Sequence, residues 1–199
     1  MAGDVKLEGS LNEQALEMLS EVTGVLEKYK VNFVLDCGTL LGFVRENRIL
    51  PWDNDMDVCV PSSEIGKLRW CALHLWFKGY RVRFAKADYS FGPIKKGSPR
   101  VLKIRNRKGL LHRGDLLLDI FIKYPDDQGN MLLMVGRSED SIVQSFCASH
   151  LENKTHYDLN GRKFPIPADY DAYLTKRYGD WRTPVKDWDF YSDDQSKVG

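Results

Sequence analysis

The chain has 199 residues, 43% of them hydrophobic and 29% charged, with a formal net charge of +1. That length suits one domain, 1–199, with a real core, and the charge balance excludes bulk attraction to nucleic acid or to an anionic membrane. No apolar run approaches the ~20 residues that span a bilayer, and "MAGDVKLEGS" lacks the basic and apolar segments of a signal peptide, so the chain as written reads as cytoplasmic.

In chain order, Ser10 and Glu13 have the spacing of a capping box, and Leu11, Ala15, Leu16, Leu19, Val22, Leu26 and Tyr29 then recur at helical intervals, which predicts a helix over 11–30. "VNFVLD" (31–36) reads as a buried strand, "GTLLGFVREN" (38–47) as a short helix and "MDVCV" (56–60) as a second strand. A helix rich in Leu, Trp and Phe is expected from Ser62 or Ser63 to about Lys78, then strands over 80–87, 100–107 and 115–124, the last interrupted by Asp119. Past 125 the signals weaken to a turn at "PDDQGN", a short apolar run "MLLMV" and a polar stretch to about 160. A helix over 169–178 with Gly179 as its stop follows, and the last ten residues lack periodicity and are expected to fray. The order predicts an α+β architecture, a mixed β-sheet flanked by helices. Cys37, Cys59, Cys71 and Cys147 have neither zinc-ligand nor disulfide-framework spacing and read as free thiols.

The chemistry centres on "ILPWDNDMD" (49–57). Asp55 and Asp57 alternate at the entrance of a strand, so they project from one face about 7 Å apart. Carboxylates this close raise each other's pKa unless a cation lies between them. Mg²⁺ or Mn²⁺ suits such an oxygen-only site, with substrate phosphates as further ligands. Asp119, set between Leu118 and Ile120, would complete a three-carboxylate metal site if its strand lies beside the first. Two bland readings stand against this: a solvated turn over 53–57, and a strand Asp119 paired with an arginine or placed at an edge. Upstream, Gly38 and Thr39 open a helix after a buried strand, where backbone N–H groups can hold an anion, and Arg45 lies two turns further on.

"GTLLGFVREN" followed by "ILPWDNDMDV" resembles the signature of the LicD and fukutin-related family, within the polymerase-β-like nucleotidyltransferase superfamily. The closing "PADYDAYLTKRYGDW" is similar to that family's Tyr-Gly-Asp segment. The resemblance implies a nucleotidyltransferase fold, with Asp55, Asp57 and Asp119 as catalytic metal carboxylates and Gly38 and Thr39 as the first motif element. Trp52 and Asp53 belong to the narrower family signature. It also implies transfer of a phospho-alcohol, phosphocholine or a polyol phosphate, from a CDP-linked donor to a sugar hydroxyl. Asp119 is the carboxylate placed to take the acceptor's proton. Asn54 departs from the pattern, standing where the family often has another Asp. Two alternatives stay open: nucleotidyl transfer from an NTP, and a nucleotide-binding module without turnover.

Lys103, Arg105 and Arg107 alternate along one strand, and Arg105 reads as a phosphate contact against the alternative of a solvated face. Tyr178 and Trp181 could stack on a nucleobase or simply pack, and none of the four histidines has ligand spacing.

Overall fold

The computed structural model describes residues 5–109, 112–136, 141–185, 188–189 and 191–198. Helix α1 (Ser10–Lys28) buries Ala15, Met18, Leu19, Val22, Val25 and Leu26. Its cap is Gly9, at φ 56°, and no side chain caps it; Ser10 already lies inside the helix, so the Ser10–Glu13 box does not form. Strand β1 is only Val34–Leu35, because helix α2 (Cys37–Glu46) starts two residues later with the Asp36 carboxylate accepting from Cys37 N–H at 2.8 Å. Strand β2 (Met56–Pro61), a 3-10 turn at Ser62–Glu64 and helix α3 (Ile65–Phe77) follow. Strands β3 (Arg81–Lys86), β4 (Pro99–Lys108) and β5 (His112–Pro125) then fall close to the expected ranges.

The sheet runs β1-β2-β5-β4-β3, with β2 parallel to β5 and the other neighbours antiparallel. A parallel neighbour requires a long crossover, here supplied by α3, β3 and β4. One sheet face is apolar: Met56, Val58 and Val60 join Leu118, Ile120, Ile122, Leu102 and Ile104 in a core with the buried stripes of α1 and α3. The fold is therefore the mixed α+β sheet flanked by helices that the sequence predicts.

Past Pro125 the polar stretch is more ordered than its composition suggests. β6 (Asn130–Val135) extends the sheet from the end of β5, and β7 (Ile142–Cys147) pairs with it. After a one-turn helix α4 (Ser149–Glu152), β8 (Lys154–Leu159) and β9 (Arg162–Pro167) form a separate hairpin. Its two-residue loop is Asn160-Gly161, both at positive φ (53° and 79°), a strong local hairpin signal. Helix α5 (Tyr170–Tyr178) ends at Gly179 as expected. The tail is anchored rather than loose at Asp194 and Ser196, which are buried. Gln144 donates to Asp194, Arg177 pairs with it at 3.3 Å, and Ser145 N–H bonds Ser196 O at 2.9 Å. The cysteines are free thiols, three of them buried.

An ion pair welds these layers together. Lys123 on β5 and Asp36 at the start of α2 are both essentially buried, 2.9 Å apart, and Tyr173 of α5 donates its hydroxyl proton to the same carboxylate. Burial alone would raise the Asp36 pKa, but the Lys123 and Arg177 charges outweigh it and hold the carboxyl well below its usual range. Removing one partner of such a pair strands the other charge. Lys123→Met is expected to lower the unfolding free energy by about 3–5 kcal/mol in urea denaturation, with Asp36→Asn in the same chain recovering part of the loss. A single variant as stable as the parent contradicts this role for the pair.

Candidate active site

The opposite sheet face carries the polar residues. In the β2–β5 register Asp57 lies beside Asp119, and in the β5–β4 register Asp119 lies beside Lys103. Side chains at paired positions share a face. Thus Asp57 and Asp119 are brought together as neighbours, and Asp55, one residue ahead of β2, extends the row along the strand. Asp53 and Asp55 are half-buried, Asp57 and Asp119 buried.

A cavity of about 700 Å³ opens over this row, lined by Asp53, Asp55, Asp57, Asp119 and Gly38, with Arg45, Arg100, Lys103 and Arg177 as its cations. That size suits a small-molecule ligand. Its far wall comes from the C-terminal segment, including Tyr178, Trp181, Trp188 and Tyr191. Tyr178 packs on Trp188 with ring centroids 4.8 Å apart. Trp181 is buried, with its indole N–H donating to Asp171 at 3.0 Å, so its first role is packing.

The carboxylates feel one another. Burial raises the Asp53 pKa to about 6. Burial, then the charges of Asp53 and Asp119, push Asp55 to about 8 against the pull of Lys103. Burial and the same acidic neighbours raise Asp57 well above its usual range. Asp119 is raised by burial, which Lys103 opposes by donating to one carboxylate oxygen; the other, Oδ1, is buried without a hydrogen-bond partner. The partner of Asp119 is thus a lysine and not the arginine weighed from the sequence.

Several expected ligands have other work. The Thr39 hydroxyl is buried and accepts the Asp57 N–H at 2.8 Å, so it braces β2 instead of lining the cavity. Gly38 does line it, and a Cβ there would overlap Asp53 Oδ2, so only glycine lets that carboxylate lie over the start of α2. Arg45 lies over the Trp52 ring at 6.0 Å while its Nη1 donates to Trp181 O at 3.2 Å. Arg105 lies outside the cavity and donates to Gly114 O at 3.2 Å. Asn54 is outside it too, its backbone N–H donating to Asp53 Oδ1 at 2.9 Å. No local sequence pattern marks Arg100 or Arg177. Both are buried, and Arg100 donates to the carbonyls of Lys86 and Gly136.

Among the described residues no group of three or more His, Cys, Asp or Glu is arranged to hold a metal ion as it stands. The donor chemistry nevertheless fits a hard cation: the acidic row is all oxygen, Lys103 offsets its charge only in part, and it has an orphaned buried oxygen on Asp119.

A strand–helix start facing paired strand carboxylates over a nucleotide-sized cavity is the plan of a nucleotidyltransferase-type domain. The chain belongs to the LicD/FKTN/FKRP nucleotidyltransferase-domain family, whose model matches residues 30–169. It is 29% identical over 123 residues to the lipopolysaccharide cholinephosphotransferase LicD of Haemophilus influenzae, covering 57% of this chain and 44% of that protein. It is 25% identical over 189 residues to the human ribitol-5-phosphate transferase FKTN, covering 91% of this chain and 36% of that protein. The chain thus spans less than half the length of either relative. Among solved structures it is similar to the lincosamide antibiotic adenylyltransferase LnuA with lincomycin bound (TM-score 0.49, 16% identity, 79% of this chain and 83% of that one). It is also similar to ANT(2")-Ia with adenylyl-2"-tobramycin (TM-score 0.45, 17% identity, 87% and 80% covered). The family match, not these distant likenesses, carries the assignment.

The raised carboxyls predict a pH dependence. Each has a folded pKa above its unfolded value near 3.8, so the folded chain binds more protons between the two values and stability falls as pH rises through that window. The window runs to about 6 for Asp53 and about 8 for Asp55. Asp36, shifted the other way, changes only at lower pH. His150, lowered by burial, contributes an opposite slope, so the comparison with a variant is the decisive reading. In divalent-free buffer the melting temperature of Asp55→Asn is expected to fall less than the parent's between roughly pH 5 and 8. Identical slopes would show that Asp55 titrates normally.

Proposed function

We propose that the chain is the catalytic domain of a metal-dependent phosphotransferase that moves a phospho-alcohol from a CDP-linked donor to a sugar hydroxyl. The observation that carries this is the row of half-buried Asp53 and Asp55 with buried Asp57 and Asp119, mutually repelling and facing a cavity whose cationic groups are Arg45, Arg100, Lys103 and Arg177, with Asp180 also in its lining. Carboxylates and cations lining one cavity suit a bound cation against a pyrophosphate. The relatives' names, a cholinephosphotransferase and a ribitol-5-phosphate transferase, support the phospho-alcohol class.

In this reading Asp55, Asp57 and Asp119 would hold Mg²⁺ or Mn²⁺, which would neutralise charge on the pyrophosphate during displacement. Arg45 and Arg177 line the cavity and bring positive charge to a phosphate there, with Arg45 Nη1 on Trp181 O and its Nη2 paired with Glu46 at 2.9 Å in the free chain. Tyr178 and Trp188 offer ring faces for the base. The acceptor oxygen attacks the phosphorus bearing the alcohol, the bond to CMP breaks, and the hydroxyl proton passes to a carboxylate. Asp119 can receive it once Lys103 is drawn from its oxygen to the phosphates. Asn54 lies off the cavity, which weakens its support for a module without turnover.

The test is thermal stabilisation by ligands. CDP-choline or CDP-ribitol with Mg²⁺ or Mn²⁺ is expected to raise the melting temperature by several degrees, and Asp55→Ala to abolish the shift. A shift with CTP or ATP but with no CDP-alcohol would transfer the assignment to nucleotidyl transfer from an NTP. Saturating CDP-alcohol and metal without any shift would overturn the reading.

A further inference from the structure

Helix α3 is apolar on both sides, a pattern that suits a helix enclosed all round, yet only one side is covered. Leu68, Cys71, Ala72 and Leu75 join the core against the sheet. On the other side Trp70, Leu73, Trp76 and Phe77 are 63%, 44%, 51% and 74% exposed. Trp70, Leu73 and Phe77 fall at i, i+3 and i+7 and so make one stripe along the helix, and the Trp76 ring meets Phe77 edge-on with centroids 5.0 Å apart. At about 150–250 Å² for each aromatic side chain, the patch leaves roughly 400–500 Å² of apolar surface in water, at the upper end of what a monomer carries.

The charges around the stripe have one sign. Ile65–Lys78 contains Lys67, Arg69 and Lys78 and no Asp or Glu, in a chain whose overall charge is only +1. At about 100° of helix turn per residue, Lys67 and Lys78 fall on one flank of the stripe and Arg69 on the other, all three exposed. Glu64 and Glu21, both outside the helix, pair with Lys67 at 2.8 Å and with Lys78 at 2.6 Å. Arg69 has no ion pair among the described residues. The Lys78–Glu21 pair is exposed on both sides, a kind that contributes little and yields to a competing anion.

A second copy of the chain suits this face poorly. Two copies would set the same cations against each other, and the patch supplies only about half of the roughly 800 Å² per partner that a standard interface buries. An anionic bilayer meets both features at once. Its headgroups carry the opposite charge, and its interfacial layer takes up Trp and Phe rings. We propose that the exposed side of α3 docks on an anionic phospholipid surface, with Trp70 and Phe77 entering the interfacial layer and Lys67, Arg69 and Lys78 resting on lipid phosphates. The cavity opens on the other face of the sheet, so a docked chain keeps its acidic row open to water. The docking face stands independently of the phosphotransfer reading.

Binding is read by co-flotation with vesicles of equal parts phosphatidylcholine and phosphatidylglycerol, and with vesicles of phosphatidylcholine alone. The parent is expected to bind the anionic vesicles at least about tenfold more tightly, with its tryptophan emission shifted to the blue. Trp70→Gln/Phe77→Gln is expected to lose at least about tenfold of that affinity while melting no lower than the parent, because both side chains are exposed. A parent that binds both vesicles equally overturns the proposal, as does a variant that keeps the parent's affinity. A parent that sediments as a dimer and a variant that sediments as a monomer would give the face to a second copy instead. A monomeric parent that binds neither vesicle would give it to an acidic protein. Stabilisation by CDP-choline and Mg²⁺ is expected to be the same in parent and variant, and its absence in both sinks phosphotransfer while the vesicle comparison still decides the docking face.

Discussion

The parallel pairing of β2 with β5 fixes the site. Its register sets Asp57 beside Asp119 and, on the other face, Met56, Val58 and Val60 beside Leu118, Ile120 and Ile122. A slip of one residue would turn carboxylates into the core and valines into the cavity, so the apolar face enforces the chemistry of the polar one. The hydrophobic effect thus holds together four acids that repel each other. Thr39 adds a local brace, its hydroxyl taking the Asp57 N–H that the strand edge leaves over.

Along β5 the same face reads Asp119, Phe121, Lys123, and those three residues join the site to the frame. Asp119 faces the cavity, Phe121 lines it and packs against the small cluster of Val34, Cys59, Met131 and Leu151, and Lys123 reaches the buried Asp36. Asp36 caps α2, and Tyr173 ties α5 to it. The C-terminal wall of the cavity is therefore coupled to the start of α2 through one buried charge pair. Such a pair is poor evidence for net stability, since its desolvation is expensive, but it makes the geometry difficult to break piecemeal.

Much of this was legible in the sequence. Alternation located β3 and β4, apolar runs located β2 and β5, and the spacing of Asp55 and Asp57 with the lone polar residue in "LLLDIFI" located the acidic row. What failed were features set by distant partners. Thr39 sits where a phosphate ligand would, yet only the fold shows its hydroxyl turned toward Asp57. Lys103 looked like one more charge on a solvated strand until register placed it on Asp119. Asp194 and Ser196 lie in a tail without periodicity, and it is Gln144, fifty residues away in sequence, that orders them. The β8–β9 hairpin is a different failure: Asn160-Gly161 between Tyr157, Leu159, Phe164 and Ile166 was a readable signal obscured by the polar residues on the strands' other face.

The account centres on a cation held between the acidic row and a donor's pyrophosphate, and Mn²⁺ reports on it directly. With Mn²⁺ at a small fraction of the protein concentration and CDP-choline in excess, both ³¹P resonances are expected to broaden far more with the protein than without it, and Asp55→Ala to remove that extra broadening. Broadening that is the same with parent, variant or no protein would contradict the account.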